Sequence, residues 1–247
     1  MSEPKLSVIA LSWNHCDLTR GFVHSLARVT RDNGEHVQAV IVDNGSTDQT
    51  ALILKNWQRS ERSPAQRVVV TLPKNEGFAG GNNIGLSKCW KADYYMFVNN
   101  DVVWNENPYT TLIKEYSAYV NKDRRVLMGP TVYRHDTGWN MLCGKIVPYV
   151  EGWLLFMNRK VMKDLLISPN RIFDEENFPL GSFEDVDLSL RAMMSGIELV
   201  GIECSPARHL GSRTSFHTPG FDYVARAKLN QKSFQKKWAH LTGEEWG

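Results

Sequence analysis

The chain has 247 residues, 42% hydrophobic and 23% charged, a composition that excludes intrinsic disorder and a small disulfide scaffold. Its 29 basic and 27 acidic residues leave a formal charge of +2, which argues against nucleic-acid binding by bulk charge. No run of about 18 apolar residues occurs, and Leu6–Leu11 is too short for a secretory core or a membrane span, so a soluble, cytoplasmic protein is expected.

Four short apolar runs, Leu6–Leu11, Val37–Val42, Val68–Thr71 and Tyr94–Val98, are each followed by a polar turn and a helix-like stretch. That order predicts a parallel sheet with helices on both faces. Ser46 or Thr47 is placed to cap a helix through Leu52 and Trp57, and Asn107-Pro108 to open another through Leu112 and Tyr116. Beyond about residue 120 the alternation breaks down. Strands are expected at Val126–Tyr133 and Gly144–Val150, near Trp139, Trp153 and Phe156, followed by a helix from near Asn158. A second helix should run from near Phe183 to Ser195, stopped by Gly196, before a strand at Ile197–Ile202. The stretch from Asp222 to about Trp238 reads as a basic helix. Cys16, Cys89, Cys143 and Cys204 lack the spacing of a zinc site and read as reduced, mostly buried thiols. Without repeats or linkers, a single mixed α/β domain is the economical reading.

Ligands of an open parallel sheet bind beyond the carboxyl ends of its strands. Three such positions are polar together: Ser12-Trp13-Asn14, Asp43-Asn44-Gly45-Ser46 and Asn99-Asn100-Asp101. Each alone is also a good turn; three on one edge point to a site. Between them, residues 73–85 open a helix with Gly77, Gly80, Gly81 and Gly85, and match neither the dinucleotide fingerprint nor the P-loop. The small residues admit a ligand or a packed chain segment equally well. Asp101 suits a divalent cation if substrate phosphates supply the other oxygens. In Phe183–Arg191, Asp187 and Arg191 form a helix-stabilising i, i+4 pair, whereas Asp185 lies about 200° around the helix from Asp187 and is a general-base candidate. His209 gains weight only from this company.

In order along residues ~5 to ~215, the segments SVIALSWN, VIVDNGSTD, NEGFAGGNNIG, FVNND, FEDVDLSLR and the stretch at His209 resemble the inverting GT-A glycosyltransferases of family 2, in particular rhamnosyltransferase-like members. The resemblance implies a Rossmann-like, mixed and mostly parallel α/β sheet flanked by helices. It implies one domain over 1–247, with a nucleotide-sugar half at about 1–103, an acceptor half at about 104–215 and a basic C-terminal helix at about 216–247. The Trp13-Asn14 loop and Asp43 would hold the base and ribose of a nucleotide-sugar, and Asn75, Gly77 and Asn82 would border nucleotide and sugar. Asn99-Asn100-Asp101 takes the place of the D-x-D motif, with Asp101 and His209 as ligands of Mn2+ or Mg2+ and Asp185 as catalytic base at an ordinary carboxylate pKa. The implied donor is a UDP- or dTDP-sugar carrying a hexose or deoxyhexose. The acceptor would be a glycan, a lipid-linked sugar or another hydroxyl. Leu11 stands where a proline is common, and Gln235-Lys236-Lys237-Trp238 lacks the arginine of the Q-x-x-R-W motif, so a polymer-extruding synthase is not implied. A nucleotidyltransferase, or a non-catalytic nucleotide-sugar or carbohydrate-binding protein using the eight tryptophans, are the alternative readings.

The charge is divided unevenly: residues 1–205 hold 22 basic and 24 acidic side chains, and 206–247 hold 7 and 3. Arg208, Arg213, Arg226, Lys228, Lys232, Lys236 and Lys237 thus form a basic segment that would face the donor diphosphate, an anionic membrane face or a nucleic-acid acceptor, or simply solvent.

Overall fold

A computed structural model describes residues 5–60, 66–179, 181–203, 205–211 and 222–246; Cys204 and Arg213, singled out above, lie outside these. The N-terminal half alternates as the apolar runs predict: β1 (Leu6–Ser12), α1 (Cys16–Val29), β2 (Val37–Asp43), α2 (Thr50–Arg59), β3 (Gln66–Thr71), α3 (Gly77–Ser87) and β4 (Tyr94–Asn99). The short β5 (Val102–Trp104), α4 (Pro108–Val120) and β6 (Val126–Gly129) follow, then four two-residue strands, β7 (Val132–Tyr133), β8 (Met141–Leu142), β9 (Lys145–Ile146) and β10 (Tyr149–Val150). The remainder is β11 (Leu154–Asn158), α5 (Arg159–Asp164), α6 (Glu184–Met194), β12 (Glu198–Gly201), β13 (Ala207–His209) and α7 (Tyr223–Lys237).

Seven strands form one sheet in the order β12-β6-β11-β4-β1-β2-β3, a mixed and mostly parallel α/β architecture. Every pairing is parallel except the two made by β11, which runs antiparallel to both β4 and β6. Chain order reverses on either side of β1, so the crevice beyond the carboxyl ends of β1 and β4 is the topological switch point. Because the strands are apolar on both faces, their period-two alternation divides two cores rather than core from solvent. Leu6, Val8 and Ala10 of β1 pack with Phe22, Leu54 and Tyr116 on one side. Ile9 packs with Leu86, Val161 and Leu188 on the other. A third cluster joins Leu142, Phe183 and Val186 to Phe234 and Trp238 of α7.

The departures from expectation have local causes. Pro130 and Pro148 carry no N–H to give to a ladder, and the two strands expected over Val126–Tyr133 and Gly144–Val150 are accordingly broken into β6, β7, β9 and β10. β11, buried at Leu154, Leu155, Phe156 and Met157, shows no alternation and was hidden among the aromatic residues around it. Ser46 and Thr47 do not cap α2: the Ser46 hydroxyl accepts from the Asn14 N–H and the Thr47 N–H donates to Asn14 Oδ1, while Asp48 Oδ1 accepts from Thr50 N–H at 2.9 Å. Asn107 and Asn158 do cap α4 and α5 through their side chains. The thiols are less buried than expected, since Cys143 is exposed and Cys16 and Cys89 are half-buried. Gly81 lies so close to Leu11 that a Cβ would overlap its side chain, which assigns this member of the glycine-rich stretch to packing.

α7 buries a stripe of Ala227, Asn230, Phe234 and Trp238 at helical spacing. Its end is held by Asp187, only 1% exposed, which accepts from Arg191 Nε at 2.9 Å, Lys237 Nζ at 2.6 Å and Trp238 Nε1 at 2.9 Å. The expected Asp187–Arg191 pair is therefore one part of a buried network. Among the described residues no helix is long and apolar enough to cross a membrane.

At Gly129 on β6 a Cβ would overlap Val150 and lie 2.8 Å from the Leu154 carbonyl oxygen. A backbone atom of a central strand has little room to move, so Gly129→Ala is expected to lower unfolding stability by about 1–3 kcal/mol. Urea denaturation of both proteins measures this, and an unchanged midpoint refutes it.

Candidate active site

A cavity of about 340 Å³ opens at the switch point, within the size range of small-molecule sites. Of the residues singled out from sequence, Trp13, Asn75, Gly77, Asn99, Asn100, Asp101, Asp185 and His209 line it. Asn14, Asp43 and Asn82 do not. Asn14, at φ 53°, ties its loop to Ser46 and Thr47. Asp43 is fully buried; Oδ1 accepts from Ser46 N–H at 3.1 Å, and Oδ2 has no hydrogen-bond partner. Asn82 turns back on its own helix, donating to the Phe78 carbonyl at 2.9 Å.

The polar loops brace one another. Asn44 donates to Asn75 Oδ1 at 2.9 Å and accepts from Glu76 N–H at 2.9 Å, while Asn75 Oδ1 also accepts from Gly77 N–H. Asn100 reaches beneath the sheet edge to Ser12 and Thr19, at 3.3 and 3.0 Å, which fixes the turn carrying Asp101. β5 leaves that turn and pairs with β13, placing His209 opposite Val102. The pairing is extended by Leu210 N–H donating to the Asp101 carbonyl at 2.8 Å, and His209 Nε2 comes to 3.1 Å from Asp101 Oδ1. Residues 108 apart in sequence thus form one oxygen–nitrogen pair. The His209 ring is stacked on Trp153, with centroids 4.9 Å apart and planes 11° from parallel.

A carboxylate and an imidazole are both groups that can ligate a divalent cation. Among the described residues no group of three or more His, Cys, Asp or Glu is arranged to hold a metal ion, so further ligands would come from phosphate and water. None of the described residues lining the cavity is Lys or Arg.

Asp185 is presented by the first turn of α6. The preceding Ser182 and Phe183 are held at φ 76° and 73°, a conformation costing non-glycine residues on the order of 1–3 kcal/mol each. Asn230 of α7 donates to the carbonyls of Gly181 and Ser182, at 2.8 and 3.0 Å, and holds this strained approach in place. Asp185 points away from Asp187, as the helical angle predicts, and accepts from Gly152 N–H at 3.1 Å and Val186 N–H at 2.9 Å. Burial, only partly offset by those two N–H groups, pushes its carboxyl up to about 6 rather than leaving it ordinary. Nearby Glu151 adds to the rise. Gly152 is required for this contact, because a Cβ there would sit 3.0 Å from the Asp185 side chain.

Sequence reasoning did not find Tyr149, Glu151, Gly152, Phe183 and Glu184 as lining residues. Most come from the segment entering β11, and recognition of that strand is the signal that would have exposed them. Glu184 is 3% exposed, its Oε1 lacks a hydrogen-bond partner, and burial holds its carboxyl well above the usual range. Trp139 lines the cavity at 36% exposure, whereas Phe156 is wholly in the core.

The fold has counterparts among solved structures. The mannosyltransferase PcManGT from Pyrobaculum calidifontis, solved with GDP-Man and Mn2+, matches with a TM-score of 0.61 at 16% identity, over 81% of this chain and 55% of its own. S. aureus TarS 1-349 in complex with UDP-GlcNAc matches with a TM-score of 0.57 at 18% identity, over 84% of this chain and 61% of its own. The chain therefore spans less than two thirds of either neighbour. No curated protein matches it significantly in sequence. The family model described as "Glycosyl transferase family 2" matches residues 7–168, from β1 through the switch-point loops to the end of α5 and beyond, so this GT-A-like α/β chain belongs to glycosyl transferase family 2.

Proposed function

We propose that the chain transfers a hexose or deoxyhexose, with inversion, from a UDP- or dTDP-sugar to an acceptor hydroxyl, using Asp185 as general base. The observation that carries this reading is a half-buried carboxylate, Asp185, lining the same cavity as the Asp101–His209 pair. Neighbours solved with GDP-Man and Mn2+, and with UDP-GlcNAc, support a nucleoside diphosphate sugar as the donor class.

Trp13 and Asn75 offer a ring face and an amide to the nucleoside end, and Gly77 opens space beside them. Asp43, fully buried and off the cavity wall, would act on the nucleoside end only through the turn it braces, accepting from Ser46 N–H. Asn99 and Asn100 hold the turn of Asp101 against β1 and β11. When bound by Asp101 and His209, Mn2+ or Mg2+ supplies positive charge against a departing diphosphate. Asp185 accepts the proton of the acceptor hydroxyl as its oxygen bonds to the anomeric carbon and the bond to the diphosphate breaks. The Gly152 and Val186 N–H groups keep the carboxylate aimed while it gains that proton. A rise towards 6 makes Asp185 a stronger base than an exposed carboxylate while it remains ionised at neutral pH.

Three outcomes are expected. Asp185→Asn keeps the side-chain volume but cannot accept the proton, so transfer should fall by at least about 100-fold, with donor affinity changed less than about twofold. Calorimetric donor binding beside a transfer assay decides it, and retention of more than a few per cent of activity removes Asp185 from the role. Because the base works ionised and its pKa is raised, kcat/KM should fall as pH drops through about 6, with unit slope; a flat profile between pH 5 and 7 contradicts this. Chelation should abolish transfer, and Asp101→Ala or His209→Ala should weaken manganese-dependent donor binding by about tenfold or more. Donor titrations with and without Mn2+ test that, and metal-independent binding in all three proteins argues against the assigned pair.

A further inference from the structure

We infer that the part of the cavity around Asp185 is an acceptor subsite for a saccharide that carries no negative charge, built by Trp139, Tyr149, Glu151 and Glu184; this deepens, and rests on, the glycosyl-transfer reading. Tyr149 and Tyr133 are direct partners in the β10–β7 ladder, and their rings are stacked with centroids 5.1 Å apart. Glu151 follows immediately on β10, where its N–H donates to the Thr131 carbonyl at 2.9 Å, and its carboxylate faces Tyr133, Tyr149 and Asp185. Two negative groups, Glu151 and Asp185, therefore share this wall. Glu184 adds a buried carboxyl oxygen that has no hydrogen-bond partner within the protein, although the residue lines the cavity. That oxygen is shielded from solvent, so Glu184 shapes the wall by its position and leaves direct contact with a ligand to Trp139, Tyr149 and Glu151.

Trp139 supplies the remaining chemistry. It is a large half-exposed aromatic surface on the cavity, of the kind on which the apolar face of a pyranose stacks. Its loop is firmly built: Asn140 is fully buried, accepts from Thr137 N–H at 2.9 Å and donates to the carbonyls of His135 and Val147. A ligand here meets an aromatic plane, hydrogen-bond acceptors and negative charge. Neutral and amino-bearing sugars satisfy all three. A uronate or a phosphorylated sugar brings a second anion beside Glu151 and Asp185, where like charges repel in a partly desolvated wall.

The test uses matched methyl glycosides in the gluco, manno and galacto series, each as the neutral sugar, the 2-amino sugar and the uronate. Binding is measured by ligand-observed NMR on the full chain with UDP and Mn2+ present. In at least one series the neutral or amino sugar should bind about tenfold or more tightly than the uronate. Glu151→Gln should narrow that gap about threefold or more, and Trp139→Ala should weaken all members of the series alike. Equal or tighter uronate binding, no binding by any glycoside, or a gap unchanged in Glu151→Gln overturns the inference. Donor binding on the same samples separates the two readings: if UDP-sugars bind with Mn2+ and the charge discrimination is absent, the acceptor subsite alone fails, whereas absent donor binding removes the transfer reading itself.

Discussion

The site depends on the reversal of one strand. β11 enters the sheet antiparallel between β4 and β6, so its first residues, not its last, arrive at the carboxyl edge of β4. Leu154 pairs with Val98, and the Asn99 N–H donates to the Trp153 carbonyl at 2.9 Å. Glu151, Gly152 and Trp153 are thereby delivered beside Asn99-Asn100-Asp101. A parallel strand in the same place would bring Asn158 to this edge and carry residues 151–153 to the other end of the sheet. From one reversal follow three contacts: the Gly152 N–H on Asp185, the Trp153 ring against His209, and the Glu151 charge beside the base.

Two carboxylates two residues apart on α6 show how neighbours divide structural from chemical work. Asp187 is surrounded by donors: a guanidinium, an ammonium and an indole N–H. Such a carboxylate is locked in place by its donors. Asp185 is half-buried on the cavity wall and receives backbone N–H groups but no cation, so desolvation prevails and its carboxyl rises to about 6. The strained turn at Ser182 and Phe183 sets the angle from which both are presented, and Asn230 restrains that turn from α7. Locking one acid therefore fixes the helix that presents the other to the cavity.

The parallel half of the fold was legible because apolar runs and polar turns alternate at the spacing of βα units, and the helix starts at Asn107 and Asn158 because a cap is a local event. Asp101, His209 and Asp185 were legible as candidates, but only the ladder between β5 and β13 explains why the first two meet. Between residues 126 and 158 the sequence misled, since prolines divide the strands and β11 is apolar on both faces. Glu151 and Gly152 were invisible for the same reason: their importance comes from strand direction, a long-range property that no local pattern carries. Asn14, Asp43 and Asn82 occupy recognisable motif positions off the cavity wall: Asn14 and Asp43 brace the loops after β1 and β2, and Asn82 bonds back to its own helix.

The uneven charge also has a structural meaning that its sequence position conceals. The basic segment beyond residue 205 sits close to the cavity, since Ala227 of α7 lines it, but no described Lys or Arg does. Lys237 is drawn inward instead, between Asp174 at 2.8 Å and Asp187 at 2.6 Å, with its ammonium 5.1 Å from the centre of the Trp238 ring. Lys228, Lys232 and Lys236 are exposed, and follow one another at helical i, i+4 spacing on a face that excludes the buried stripe. The helix thus uses one cation to hold α6 and leaves three to solvent. What the described wall presents to a ligand is acidic and aromatic, and none of the described cations of α7 reaches it.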